Sequence, residues 1–237
     1  MVIKVGEIKV TWLGHAAFMI DYDVESTRII IDPFLGASPL KPDEIKDVDL
    51  ILVTHAHEDH VGATCDILKN NKDAKVVAIY ELAEHIGKEC NASENMVGMN
   101  IGGTWIFKKG AAEIPITQVQ AMHSSMGIGS ATGFVIRFPE FSVYHSGDTG
   151  VFASMEIIGR LYNVRLALLP IGSHFTMGID EAVEAVKLLK PEYVIPMHYD
   201  TWPIIKADPK LFKEKVEATT STKVIILKPG ESKNFVF

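Results

Sequence analysis

The sequence predicts an α/β protein of two similar halves, sheet packed against sheet with helices outside. Two observations carry this. Short strand-like runs fill roughly the first fifty residues and return over residues 96–144, and each block is followed by alternating strands and helices. The alternating parts also contain continuous apolar runs such as Leu50-Ile51-Leu52-Val53, the pattern of strands buried on both faces.

In chain order, residues 7–12, 17–21 and 28–31 are β-rich, punctuated by Leu13-Gly14 and the polar cluster 23–27. After the 50–53 strand, helical segments at 61–70 and 81–90 bracket a buried strand, Lys75–Ile79. Gly102-Gly103 and Gly127-Ile128-Gly129 break the strand-rich middle of the chain. The last third reads as strand 164–169, helix 180–190, strand Tyr193–Met197, helix 209–218 and strand 223–227. In the first of these helices Asp180 is the expected N-cap, Ala182, Val183, Val186 and Leu189 form one apolar stripe, and Pro191 stops it. Without a charge run, low-complexity stretch or long linker, residues 1–237 are expected to form a single domain.

Of the 237 residues, 47% are hydrophobic and 22% charged, which is the balance of an ordinary globular protein with enough chain for a substantial core. The formal charge of −7 gives no strong nucleic-acid signal, since such binding needs an excess of Lys and Arg. Lys4, Glu7 and Lys9 interrupt the N-terminal apolar run, so no signal peptide is expected. No run of about eighteen apolar residues occurs, and no membrane span is expected. Cys65 and Cys90 lack C-x-x-C spacing and are expected to be free reduced thiols of a cytoplasmic protein, outside any metal site. A homo-oligomer is neither indicated nor excluded.

The chemistry concentrates in Thr54-His55-Ala56-His57-Glu58-Asp59-His60, directly after a buried strand. His55 and His57 are two residues apart, so extended backbone points both imidazoles the same way. Asp59 and His60 come where the chain must turn toward a helix and can face a second point nearby. Imidazole and carboxylate together suit zinc, iron, manganese or nickel. Further ligands are available at other strand ends, where sheets of this kind collect their sites: His123, Asp148 in His145-Ser146-Gly147-Asp148-Thr149-Gly150, and His198 in Pro196-Met197-His198-Tyr199.

In order and spacing these segments resemble the five motifs of the metallo-β-lactamase superfamily: an Asp after an early strand (Ile31-Asp32-Pro33-Phe34), H-x-H-x-D-H, a lone His, a lone Asp and a final His. The resemblance implies a four-layer α-β-β-α sandwich with the metal site between strand ends. It further implies two divalent ions, zinc first and manganese, nickel or iron as alternatives. His55, His57 and His123 would hold one ion, Asp59, His60 and His198 the other, and Asp148 would bridge them. Leu13-Gly14-His15-Ala16, Tyr144-His145-Ser146-Gly147-Asp148-Thr149, Pro170-Ile171-Gly172 with Phe175-Thr176-Met177, and Ile195-Pro196-Met197-His198-Tyr199 narrow the likeness. They resemble a branch of metal-dependent hydrolases that includes L-ascorbate phosphate lactonases and is similar to N-acyl-phosphatidylethanolamine phospholipases D. The likeness spans residues 8–203. Glu58, where a small residue is usual, and Ala63, where an acid is common, depart from it.

The implied activity is hydrolysis by a hydroxide bridging two ions, which lower its pKa toward neutrality. The implied substrate is an anionic small molecule, a phosphodiester or a phosphorylated metabolite such as a lactone or ester. Carboxylic esters or thioesters are the alternative on the same centre. Lys108-Lys109 reads equally as a phosphate contact or a solvated turn. The expected catalytic set is Asp59, Asp148, His15 and His174, the two histidines contacting substrate or protonating the leaving group, with a structural hydrogen bond as the alternative for each. Asp32 is expected to orient a ligating histidine, His145 to pack, and His85 to lie on the surface. A di-iron redox protein is the rival from another class, but such branches place an acid where His57 stands. A non-catalytic binding module on the same fold is a second rival.

Overall fold

The structure, a computed structural model, describes residues 6–236, so Lys4 lies outside the described residues. The first half runs β1 (Glu7–Gly14), β2 (Ala17–Tyr22), β3 (Thr27–Ile31), β4 (Leu50–Leu52), α1 (Glu58–Val61), α2 (Thr64–Asn70), β5 (Lys75–Ile79), α3 (Tyr80–Glu89) and β6 (Met96–Met99). The second runs β7 (Thr104–Lys109), β8 (Ala112–Gln120), β9 (Thr132–Phe138), β10 (Phe141–His145), α4 (Met155–Tyr162), β11 (Leu166–Pro170), α5 (Ile179–Leu189), β12 (Tyr193–Met197), α6 (Pro209–Thr219), β13 (Lys223–Val224) and β14 (Ser232–Val236).

Among the described residues the strands form two seven-stranded sheets, ordered β14-β1-β2-β3-β4-β5-β6 and β13-β12-β11-β10-β9-β8-β7. Each sheet begins antiparallel and finishes parallel, the switch falling at β3 in the first and β10 in the second. The two-halves expectation therefore holds, with one exchange: β14 leaves the second half and pairs with β1.

The buried run after residue 49 shows why the layers stack as they do. Leu50 and Leu52 face a core shared with Phe134, Ile136 and Tyr144 of the opposite sheet. Ile51 and Val53 face the other way, onto Ile67 and Leu68 of α2 and Leu82 and Ile86 of α3. Ala182, Val186, Phe212 and Val216 bring α5 and α6 onto the core from the second sheet's side. The result is the α-β-β-α sandwich.

Several local expectations change. The helix at 61–70 is two helices, because Gly62 adopts φ +47, and a Cβ there would lie 2.4 Å from the Pro33 carbonyl oxygen. That close approach seats α1 against the Asp32-Pro33 turn, and Ala63 N–H donates to Pro33 O at 2.9 Å. The cap of α5 is Gly178, whose N–H donates to Glu181 Oε2 at 3.1 Å; Asp180 instead sits in the first turn, paired with Lys215. The strand at 223–227 shortens to two residues, and neither α4 nor β14 is anticipated by the sequence reading.

Cys65 and Cys90 are not free thiols; they form a disulfide, with Cα atoms 5.0 Å apart. Their separation of 25 residues conceals that α2 and the end of α3 are neighbours on the outer face of the first sheet.

Candidate metal centre

The site residues leave the sheets at equivalent ends. His15 follows β1, Asp32 follows β3, and His55 through His60 follow β4. His123, Asp148 and His198 follow β8, β10 and β12, which all run in one direction within their sheet. Two connections tie the sheets together there: Thr132 N–H donates to Thr54 O at 3.0 Å, and His198 N–H donates to His15 O at 2.9 Å. His15, Asp32 and His198 have φ of 52°, 45° and 54°, left-handed turns that carry the chain away from the strand ends and into the site.

These turns bring the expected residues together. His55 Nε2 lies 2.9 Å from His57 Nδ1, and both rings stand 5.1 Å from that of His123. Across the site, Asp148 is within ion-pair reach of three histidines: its Oδ1 is 3.4 Å from His60 Nε2, and its Oδ2 is 3.0 Å from His198 Nε2 and 3.7 Å from His123 Nε2. Asp59 Oδ2 lies 3.8 Å from His60 Nε2 and 3.9 Å from His198 Nε2. Three overlapping groups have ligand atoms within 4.8 Å of one another: His55/His57/His123, His55/His60/Asp148 and His15/Asp59/His60/His198.

Hydrogen bonds behind this cluster fix which nitrogens face it. Asp32 Oδ2 accepts from His60 Nδ1 at 2.7 Å and from the Thr54 hydroxyl at 2.7 Å. Having given its only proton to Asp32, the Thr54 hydroxyl must accept from His55 Nδ1, 3.0 Å away. One buried carboxylate thereby directs the Nε2 of both His55 and His60 inward, as expected of a group that orients metal ligands. Asp148 depends on Gly147, which has φ +60 and whose added Cβ would meet Thr132 O at 2.4 Å. The Gly147 N–H donates to His145 Nδ1, and His145 Nε2–H donates to Ala16 O, so His145 packs as a neutral structural ring.

The donor set fits a cation. His60 Nε2, His198 Nε2 and Asp148 Oδ1 are buried without a hydrogen-bond partner among the described residues, an arrangement that is costly unless something binds them. Burial depresses the His60 pKa, but Asp148 and Asp32 outweigh it and raise the ring well above 6.5. Burial opposes ionisation of Asp148 too, yet His60 and His198 hold it well below the carboxylate range. Burial and neighbouring histidine charge lower His55 and His123, favouring the neutral imidazole that a metal requires.

The two histidines expected to contact substrate or donate a proton lie at different depths. His15 is not among the residues that line the cavity over the cluster. Its side chain is wholly buried, with Nε2 3.0 Å from Asp59 Oδ2 and Nδ1 2.8 Å from Thr201 Oγ1. The Gly14-His15 turn folds it behind Asp59. His174 is exposed on the loop after β11, and its ring packs edge-on against the cavity residue Phe175 at 4.5 Å. His85 is at the surface beside Glu89, as expected, and Glu58 points to solvent.

A cavity of about 360 Å³ opens over the cluster, walled by His57, Asp59, His123, Ser124, Asp148, Phe175, His198 and Trp202. Lys108 and Lys109 are not in it; they pair with Glu113 and Asp49. Thr54, Ser125 and Trp202 escaped the sequence reading. Ser125 Oγ accepts from Ala56 N–H at 3.2 Å, joining the two histidine-bearing loops, and only the neighbouring ligand motifs could have flagged such residues.

The family model for the β-lactamase superfamily domain matches residues 27–199. A metal-dependent hydrolase of Pyrococcus furiosus is 51% identical over 95% of this chain and 98% of its own length. Another, from Thermococcus onnurineus, is 50% identical over 94% and 98%. The solved structure of Igni18, a metallo hydrolase from the hyperthermophilic archaeon Ignicoccus hospitalis, superposes with a TM-score of 0.90 at 41% identity, covering 98% of this chain and 99% of that one. With a family model across most of its length and relatives aligned nearly end to end, the chain belongs to the metal-dependent hydrolases of the metallo-β-lactamase superfamily.

Proposed function

We propose that this protein is a binuclear metal-dependent hydrolase whose first substrate class is the phosphodiester. The supporting observation is Asp148, whose two carboxylate oxygens reach histidines of both halves of the cluster. His55, His57 and His123 would hold one ion, His60, Asp59 and His198 the second, with Asp148 shared. Zinc suits these nitrogen and oxygen donors, as do manganese, nickel and iron. Two such ions supply a water acidified to near-neutral pKa and a Lewis acid for the developing oxyanion.

The chain's own residues do the rest. Asp32 and Thr54 hold the Nδ1 sides of His60 and His55 and so aim their Nε2 atoms inward. His15 steadies Asp59 from behind. The cavity wall contributes carboxylates and imidazoles but no lysine or arginine among the described residues, which suits a substrate carrying one negative charge better than a metabolite with a second phosphate. The same observation favours a second reading, carboxylic-ester or thioester hydrolysis. No helix among the described residues is long and apolar enough to cross a membrane.

The test is kcat/KM for bis-p-nitrophenyl phosphate, p-nitrophenyl acetate and a chromogenic β-lactam, after reconstitution with zinc, manganese or nickel. A preference of about a hundredfold for the ester or β-lactam overturns the phosphodiester reading. Absence of turnover on bis-p-nitrophenyl phosphate with every metal overturns the phosphodiester reading as well.

A further inference from the structure

The cavity has two kinds of wall. One is the ligand cluster; the other is aromatic, formed by Phe175 from the loop after β11 and Trp202 from the loop after β12. Both rings are substantially open, 51% and 38% exposed respectively, although each borders a buried polar cluster. Exposed large apolar side chains gathered at a concave site are a recognition feature rather than surface scatter.

Both rings are held in place. Trp202 packs edge-on against the buried His15 ring at 4.8 Å and lies 6.0 Å from the Phe34 ring, while its carbonyl accepts from Ile205 N–H at 3.1 Å. Phe175 follows two consecutive left-handed residues, Ser173 at φ 59° and His174 at φ 58°. That strained turn is closed by Ser173 N–H donating to Met177 O at 2.9 Å, and it is tied to the Asp148 loop by Met177 N–H donating to Thr149 O at 2.9 Å. The His174 ring supports Phe175 from its edge. Aromatic side chains fixed before a ligand arrives lose little freedom on binding.

We infer that Phe175 and Trp202 form a subsite for a flat apolar group, aryl in the simplest case, attached next to the scissile bond. The inference rests on the proposed hydrolytic site and names what its substrate carries beside the reacting group. A substituent bearing a second charge finds no cationic side chain in this wall and would lose its hydration without a partner. A planar apolar substituent stacks on the rings instead.

The test measures binding to the zinc-loaded protein by calorimetry, independently of turnover. Phenylphosphonate and methylphosphonate present the same anionic head and differ in the ring; 2-phosphoglycolate adds a carboxylate. Phenylphosphonate is expected to bind at least tenfold more tightly than either. Phe175→Ala should remove most of that advantage while leaving methylphosphonate affinity and zinc content unchanged; Trp202→Ala should remove most of it as well, and Trp202→Phe, which keeps a ring against His15, should keep most of it. The two rings sit on separate loops, so a folding defect in one variant leaves the other informative. Equal binding of the phenyl and methyl compounds, or tightest binding of 2-phosphoglycolate, overturns the aromatic subsite and leaves the metal reading intact. Binding of none of the three overturns both.

Discussion

Asp32 Oδ2 accepts the His60 Nδ1 proton at 2.7 Å, and both side chains are completely closed to solvent. The bond leaves His60 one nitrogen for the cluster and fixes its direction. The same oxygen also holds Thr54, and through it His55, so a single carboxylate sits behind ligands of both proposed ions. Asp32→Asn should keep the fold but disturb both tautomers. Metal affinity, read by chelator competition, is expected to fall about 10–100-fold, the usual loss when a partner behind a ligand is removed. Unchanged affinity would show that Asp32 serves only the turn it occupies.

His15 gives a prediction opposite to the one its motif suggests. Burial is the largest influence on its ring and pulls the pKa down to about 4, against its hydrogen bond to the Asp59 carboxylate, which raises it. At neutral pH the ring is uncharged and cannot protonate a leaving group as an imidazolium. His15→Ala should therefore weaken metal binding through a loosened Asp59, and no limb of the kcat pH profile between roughly pH 5 and 8 should disappear with it. Intact metal affinity together with lost turnover and a missing acid limb would return His15 to proton transfer.

Much of the centre was legible from residue order because ligands at strand ends are short-range signals: a buried strand stops and His55, Asp148 or His198 follows within a few residues. Asp32 was legible for the same reason. The depth of His15 was not, because whether it faces a cavity or lies behind Asp59 is set by the left-handed turn at His15 and by contacts with Thr201 and Trp202 far along the chain. The disulfide and the β14–β1 pairing were hidden likewise, since both depend on which distant segments become neighbours. Helix α4 is short, with Met155, Ile158 and Gly159 its buried residues, which is too brief an apolar pattern to stand out.

His145 sets a pH limit on the metal-free fold. Its ring is fully buried, and burial lowers its pKa below the ordinary value of 6.5. Its two hydrogen bonds, to Ala16 O and from Gly147 N–H, require the neutral form. The sign follows: between the folded and unfolded pKa values the unfolded chain binds the extra proton, so stability is full above about pH 6.5 and is lost as pH falls through the folded value. His145 should contribute up to about 1.4 kcal/mol of lost stability per pH unit in that window. Urea titrations of the metal-free protein from pH 7.5 to 5 should show a shallower pH slope for His145→Gln than for wild type; His15, His55 and His123, also lowered by burial, keep a slope of the same sign, and His60, raised by Asp148 and Asp32, opposes it in both proteins. Identical slopes for the two proteins would mean that the His145 ring is already protonated in the fold.

The disulfide tests whether the outer helical layer stabilises the site or merely covers it. Cys65 lies in the first turn of α2, immediately after the H-x-H-x-D-H segment and α1, and Cys90 caps the end of α3. Closing a loop with a sequence separation of 25 removes unfolded-state freedom equivalent to about 3.5 kcal/mol in the chain-entropy description. Cys65→Ser combined with Cys90→Ser should lower unfolding free energy by roughly that amount, and mass spectrometry under non-reducing conditions should find no free thiol in the wild type. Metal content should stay normal in the double variant, because α1 is seated by Gly62 and Ala63 against Pro33 and His60 is held by Asp32, none of which involves either sulfur. Loss of metal with the disulfide would instead show that α2 transmits its position to the ligands, and that the cross-link belongs to the centre's own framework.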